Sequence, residues 1–242
     1  MLHYFTHHYD SLAIILPKSY WYRRALLTVR SWVSVIFQRL VVCALLFFDF
    51  FPFKVEFENK KLVDAAIRQG AVLLTVHSGP YPVFSKVFER FYPDKELAVT
   101  FYHARKVSFF PLFRRFFRRM GVTVIALGGA MREIDPVLTN GGSMVLFLDA
   151  KLPISRTERV WLFGKERQLS TGPYFLAKKY GLKVLPLYVS RKGLTLSIHT
   201  LPAIPHARQT QQRFMQQVAM AVEQMIINTL PSWQAFDRFL LD

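Results

Sequence analysis

The chain holds one cysteine and only half as many acidic as basic side chains, 16 Asp and Glu against 32 Lys and Arg, for a net charge of +16. A single thiol excludes an internal disulfide and fits a reducing compartment. Within VVCALLFF, Cys43 reads as a small buried apolar residue, not a nucleophile. The start, MLHYFTHHYD, has no basic segment ahead of an apolar run, so no secretory leader is expected. His3, His7 and His8 there fit an exposed, frayed terminus better than a shared metal ion. His103, His199 and His206 have no paired metal-ligand spacing, and neither Gly128-Gly129 nor Asn140-Gly141-Gly142-Ser143 is followed by the Gly-Lys of a phosphate loop. Neither a metal nor another cofactor is therefore expected. Repeats and low-complexity tracts are also missing, which excludes solenoid and disordered classes.

What is present is a chain of 242 residues, 52% hydrophobic, long enough to bury a substantial core. It is most simply one domain over 1–242: a helical, membrane-proximal region at 1–53, an α/β core at 54–205 and C-terminal helices at 206–242. The positive charge predicts an anionic partner. With 23 Phe, which bury well in acyl chains but form no hydrogen bonds, the composition favours an anionic membrane surface over nucleic acid. Stacking on bases would favour Tyr and Arg, and no nucleic-acid-binding motif occurs, so no nucleic-acid partner is expected.

Residues 31–53, SWVSVIFQRLVVCALLFFDFFPF, are the most membrane-like stretch, but Arg39 and Asp49 interrupt it short of the roughly 20 apolar residues of a span. Arg23, Arg30, Ser34 and Gln38 fall on one stripe at helical spacing, predicting an amphipathic first half. The second half is apolar all round and suits a core helix or one dipping into headgroups. From there apolar strands alternate with helices. Asn59 caps a helix that ends at Gly70, followed by the strands AVLLTV, ELAVTFY, VTVIAL, SMVLFLD and KVLPLYVS with helices between them. LTLSIHTLPAI reads as a late strand toward one edge, and a long helix ends before Pro231. This order predicts an α/β fold with a mostly parallel sheet covered on both faces.

In such a sheet the strand C-termini line one rim where ligands bind. His77 follows AVLLTV and Asp149 follows SMVLFL, while no carboxylate lies within the seven residues after His77. A carboxylate on one imidazole nitrogen fixes the tautomer and leaves the other as a base, able to deprotonate an alcohol or amine attacking an acyl carbonyl. The peptide N–H groups around Ser78 and Gly79 are candidate oxyanion donors. The plainer alternative is that His77 ends a strand and Asp149 binds backbone in a turn. Phe109, Phe113, Phe116, Phe117 and Met120 share one face of a predicted helix flanked by Arg114, Arg115, Arg118 and Arg119, a pattern suited to a phospholipid surface or to an ordinary core helix.

The ordered segments VEFENKKLVDAAIRQGAVLLTVHSG, FPLFRRFFRRMGVTVIAL, GGSMVLFLDAK, VWLFGKERQLSTGPYFLAKKYGLKVLPLYVSR and PSWQAF resemble successive blocks of the lipid A late acyltransferase-like family, within the lysophospholipid acyltransferase group. The resemblance implies transfer of a fatty acyl group from acyl carrier protein or acyl-CoA to a hydroxyl or amine of a lipid or glycolipid acceptor, at the cytoplasmic face of the inner membrane. It makes His77 the base and Asp149 its orienting acid. Substrate contacts fall at Ser78, Gly79, Gly164, Thr171 and Gly172, with Arg105 and Lys151 placed for donor or acceptor anions. The family pattern His-x4-Asp/Glu puts an acid at position 82, where this chain has Pro82. Two readings follow: an enzyme whose acid comes from Asp149, or a relative that keeps only a lipid-binding cleft.

Overall fold

The structure is a computed structural model that describes residues 2–48, 50–101, 114–115, 117–119, 121–126, 130–150, 156–206, 209–234 and 240. Two helices come first, α1 (Leu2–Ile15) and α2 (Trp21–Phe48). The α/β part runs β1 (Lys54–Phe57), α3 (Lys60–Gln69), β2 (Ala71–Thr75), a 3-10 turn (Tyr81–Val83), α4 (Phe84–Phe91), β3 (Leu97–Phe101), β4 (Val122–Ala126), α5 (Met131–Thr139) and β5 (Ser143–Phe147). It continues with β6 (Thr157–Leu162), β7 (Lys165–Ser170), α6 (Gly172–Tyr180), β8 (Lys183–Lys192), β9 (Thr195–Thr200) and α7 (Gln211–Thr229).

Seven strands form one sheet in the order β1-β9-β8-β2-β5-β3-β4, parallel at every pairing except β8 with β9. The mostly parallel α/β sheet expected from the sequence is what forms. Parallel strands buried on both faces need apolar residues at successive positions, and all five residues of β2 are buried. Alternation then splits each strand between two cores. Val72 and Leu74 join Met144, Leu176 and Phe214 under α5, α6 and α7, while Ala71 and Leu73 join Ile67, Phe88 and Leu185 under α3, α4 and the end of α2. Asn59 caps α3 by accepting from Leu62 N at 3.1 Å, and Gly70, at φ 77°, ends it.

Two parts of the sheet region differ from the sequence reading. β9 is not an edge, because the short strand β1 pairs outside it. Residues 157–170 form a separate antiparallel hairpin, whose Trp161 and Phe163 backbone N–H groups donate to Gln216 and Glu223 of α7.

The N-terminus differs more. It is helical, and His8 is fully buried instead of frayed. In α2 the faces are reversed relative to a soluble helix. Thr28, Ser31 and Gln38 are buried, while Tyr22, Leu26, Val29, Val33, Ile36 and Leu40 are exposed at alternating spacings of four and three. Cys43 continues that outward stripe and is exposed, not buried. The inward polar side chains have partners: Ser31 Oγ donates to the carbonyl of Trp233, and Gln38 Oε1 accepts from Gln234 Nε2. The ring of His8 donates Nε2–H to the same Trp233 carbonyl at 3.0 Å, and its Nδ1 lies 3.1 Å from Thr28 Oγ1, whose hydroxyl donates to Arg24 O at 3.0 Å.

Burial pushes the His8 imidazole down to about 4, against the raising effect of its bond to Trp233. The unfolded chain takes up this proton near 6.5. The native state therefore keeps its full stability above that pH and loses it as pH falls from there toward the folded value, by about 3 kcal/mol in all. Denaturant melts across this window are expected to show the loss in the wild type and a flatter dependence in His8→Gln.

Candidate active site

The β2–β5 register fixes the centre of the site. Thr75 lies opposite Phe147, and continuing the parallel ladder by two residues on each strand brings His77 opposite Asp149. His77 Nδ1 is 2.8 Å from Asp149 Oδ1, and the His77 backbone N–H donates to Asp149 Oδ2 at 2.7 Å. An ionised carboxylate only accepts, so the Nδ1–H donates and Nε2 is the basic nitrogen of the neutral ring.

Asp149 is 2% exposed, and a buried carboxylate stays ionised only when N–H groups replace water around it. Its third donor is Trp233 Nε1–H, 2.9 Å from Oδ2. Trp233 arrives by backbone pairing. Ser78 and Trp233 form an antiparallel bridge, Gly79 N–H donates to Ser232 O at 3.0 Å, and Gln234 N–H donates to His77 O at 2.7 Å. Gly79 is required here: its φ is +52°, and a Cβ would meet the Val189 carbonyl at 2.9 Å.

The imidazole of His77 stacks on Phe147, with centroids 4.3 Å apart, and meets the edge of Tyr81 at 5.2 Å. Burial first, and then the negative charge of Asp149, holds the Tyr81 phenol well above its ordinary range, with opposing help from its bond to Gln38 and from Arg39. Tyr81 and Phe147 also line a narrow cavity of about 80 Å³ with Pro82, Val99, Phe117 and Val189. It lies between the sheet and α4, and Tyr81 and Phe147, which line it, are also the two rings that touch the imidazole.

The other sequence-predicted residues fall in different places. The amides at the turn are not open to an oxyanion, since Ser78 N–H donates to Val76 O and Gly79 N–H to Ser232 O. Ser78 is 1% exposed, so it is not an accessible contact either. Gly164 sits in the two-residue turn of the β6–β7 hairpin after Phe163; both have positive φ, the geometry of a type I′ turn, and this accounts for the glycine without a ligand. Thr171 and Gly172 begin α6, where Thr171 N–H donates to Arg156 O and a Cβ on Gly172 would lie 3.8 Å from Leu146. Arg105 and Lys151 lie outside the described residues, as does most of the predicted basic-aromatic helix. Within it, Arg114 pairs with Glu133 at 2.7 Å.

The sequence reading missed Trp233, Tyr81, Phe147 and Gln38. Equal distance from the strand ends could have found Phe147, whereas Trp233 and Gln38 become neighbours of the site only through pairing of the chain's two ends. Trp233→Phe keeps most of the buried ring but takes one donor from a buried carboxylate. It is expected to lower stability by about 2 kcal/mol in denaturant melts.

No curated protein sequence matches the chain. The family described as bacterial lipid A biosynthesis acyltransferase matches residues 11–241. The match runs from within α1, through His77 and Asp149, to beyond Trp233, and the chain belongs to that family.

Proposed function

We propose that this protein moves a fatty acyl group from a thioester of acyl carrier protein or coenzyme A to a hydroxyl or amine of a lipid or glycolipid acceptor. We place the reaction at the cytoplasmic face of the inner membrane, with the protein bound peripherally or as a monotopic protein. Family membership supports lipid acyl transfer in general. The observation that carries the finer reading is the 2.8 Å contact between His77 Nδ1 and Asp149 Oδ1, beside two rings, Phe147 and Tyr81, that line an apolar cavity.

In this reading the acyl chain occupies the cavity, with its thioester carbonyl near His77. Nε2 accepts the proton of the acceptor O–H or N–H as that atom bonds to the carbonyl carbon. The tetrahedral intermediate collapses, the carbon–sulfur bond breaks, and the thiolate leaves with the proton returned from Nε2. Asp149 holds the ring in the required tautomer and stabilises the imidazolium between the two transfers. Pro82 lines the cavity where the family pattern has an acid, so Asp149 performs the acid's role from the neighbouring strand.

Membrane attachment rests on α2. It is long and apolar enough to cross a bilayer, with mean hydropathy 1.5 over an 18-residue stretch of Trp21–Leu45. Yet residues from Thr28 to Leu45 are buried along one side of it. A helix with protein along one flank and exposed apolar side chains along the other suits the plane of the interface.

Thiol release from acyl carrier protein and acyl-CoA donors, measured with purified protein and a total bacterial lipid extract, tests the assignment. His77→Ala is expected to lower the rate by about 100-fold or more, and Asp149→Asn by a similar factor through the wrong tautomer. Wild-type rates in His77→Ala would end the proposal. Absence of product with any donor, together with co-purifying acyl chains, would favour the second reading, a lipid-binding relative motivated by Pro82. Val99→Phe, which fills the cavity, is expected to shift donor preference to shorter chains in the same assay.

A further inference from the structure

A second concavity opens on the other side of the His77 loop. It is a groove of about 600 Å³ between α2, the end of β8 and the end of α7, and Gly79 and Pro80 form part of its wall. The end of β8 borders both spaces: Val189 lines the apolar cavity, and Ser190 and Arg191 line the groove.

The groove has a different chemistry. Arg30 of α2 and Arg191 of β8 line it together, and no carboxylate is among its described lining residues. Arg191 is held in place: its guanidinium lies 3.9 Å from the centroid of Phe37, and Nη1 donates to Gly193 O at 2.8 Å. Neither arginine has a carboxylate partner among the described residues, so an anion entering the groove meets two cations with no carboxylate competing for them. Val29 and Val33 belong both to this groove and to the exposed apolar stripe of α2. A ligand seated on the arginines thus has an unbroken apolar path outward along the helix.

We propose that this groove binds the phosphate-bearing headgroup of an anionic lipid whose chains lie along the outer stripe of α2. Naming that lipid as the acyl acceptor rests on the acyl-transfer reading; the binding does not. The cations take the phosphate, the stripe takes the tails, and Gly79 and Pro80 bring the headgroup beside the loop that carries His77. The acyl chain and the acceptor then approach this loop from two separate spaces.

Native mass spectrometry of the full chain in non-ionic detergent tests this with dioleoyl phosphatidic acid, dioleoylglycerol and inorganic phosphate as probes. The wild type is expected to bind the phosphatidic acid about tenfold more tightly than the diacylglycerol. Arg30→Gln with Arg191→Gln should erase that preference while leaving diacylglycerol binding unchanged, which also reports an intact fold. Arg23→Gln with Lys192→Gln removes the same charge from neighbouring positions outside the groove and should preserve the preference. His77→Ala should bind like the wild type, so loss of turnover and loss of the lipid site are read separately. A preference that survives in the groove variant, disappears equally in the control variant, or is absent in the wild type overturns the proposal. Displacement of the lipid by an equal concentration of inorganic phosphate also overturns it, assigning the groove to a free anion.

Discussion

A carboxylate shut away from water has to be met by N–H groups, and the geometry around Asp149 follows from that need. Its donors come from His77 twice and from Trp233 once, positions 72 and 84 residues away along the chain. Bringing them together requires β2 and β5 to pair in one register, since a slip of one residue would send His77 to the opposite face. It also requires a turn after His77 tight enough for residues 232–234 to pair alongside, which Gly79 permits with its positive φ. The Trp233 carbonyl, pointing away from the carboxylate, is then fixed by His8 and Ser31. Helices at one end of the chain thus help to hold a donor from the other against a charge in the middle.

The same strand ends separate two environments. On one face Phe147, Tyr81 and Val189 make an apolar slot beside the imidazole; on the other Ser190, Arg191 and Arg30 line a wider cationic groove. A single β8 borders both, with Val189 on the slot and Ser190 and Arg191 on the groove. Helix α2 extends the contrast outward, with Thr28, Ser31 and Gln38 turned to the protein and Leu26, Val29, Val33, Ile36 and Leu40 turned away.

Much of the sheet was legible because its signals are local. Runs such as AVLLT have no reading as a surface element, and Asn59 and Gly70 mark the ends of α3 by their own backbone chemistry. His77 and Asp149 were legible as strand-end residues, and equal spacing past Thr75 and Phe147 makes their meeting a matter of register. β1 and the β6–β7 hairpin were harder, since KVEF and KERQLS are short, charged and half exposed. The orientation of α2 could not be read, because amphipathic periodicity identifies two faces without saying which solvent each one meets. His8 and Cys43 exchanged their expected environments for that reason: His8 turned inward with Thr28, Ser31 and Gln38, and Cys43 outward with the stripe of Leu26, Val29, Val33, Ile36 and Leu40.

The antiparallel pairing of Ser78 with Trp233 also orders events in time. As the polypeptide is synthesised, β2 and β5 have all their residues long before residues 231–234 exist. Until those residues leave the ribosome, Asp149 has only the two donors of His77, and the Trp233 carbonyl that His8 and Ser31 hold has not yet been made. The nascent sheet can form with His77 and Asp149 already in contact but without the Trp233 donor. Completion of the site therefore waits on residues 231–234, which follow β5 in the chain and close against helices that precede β2.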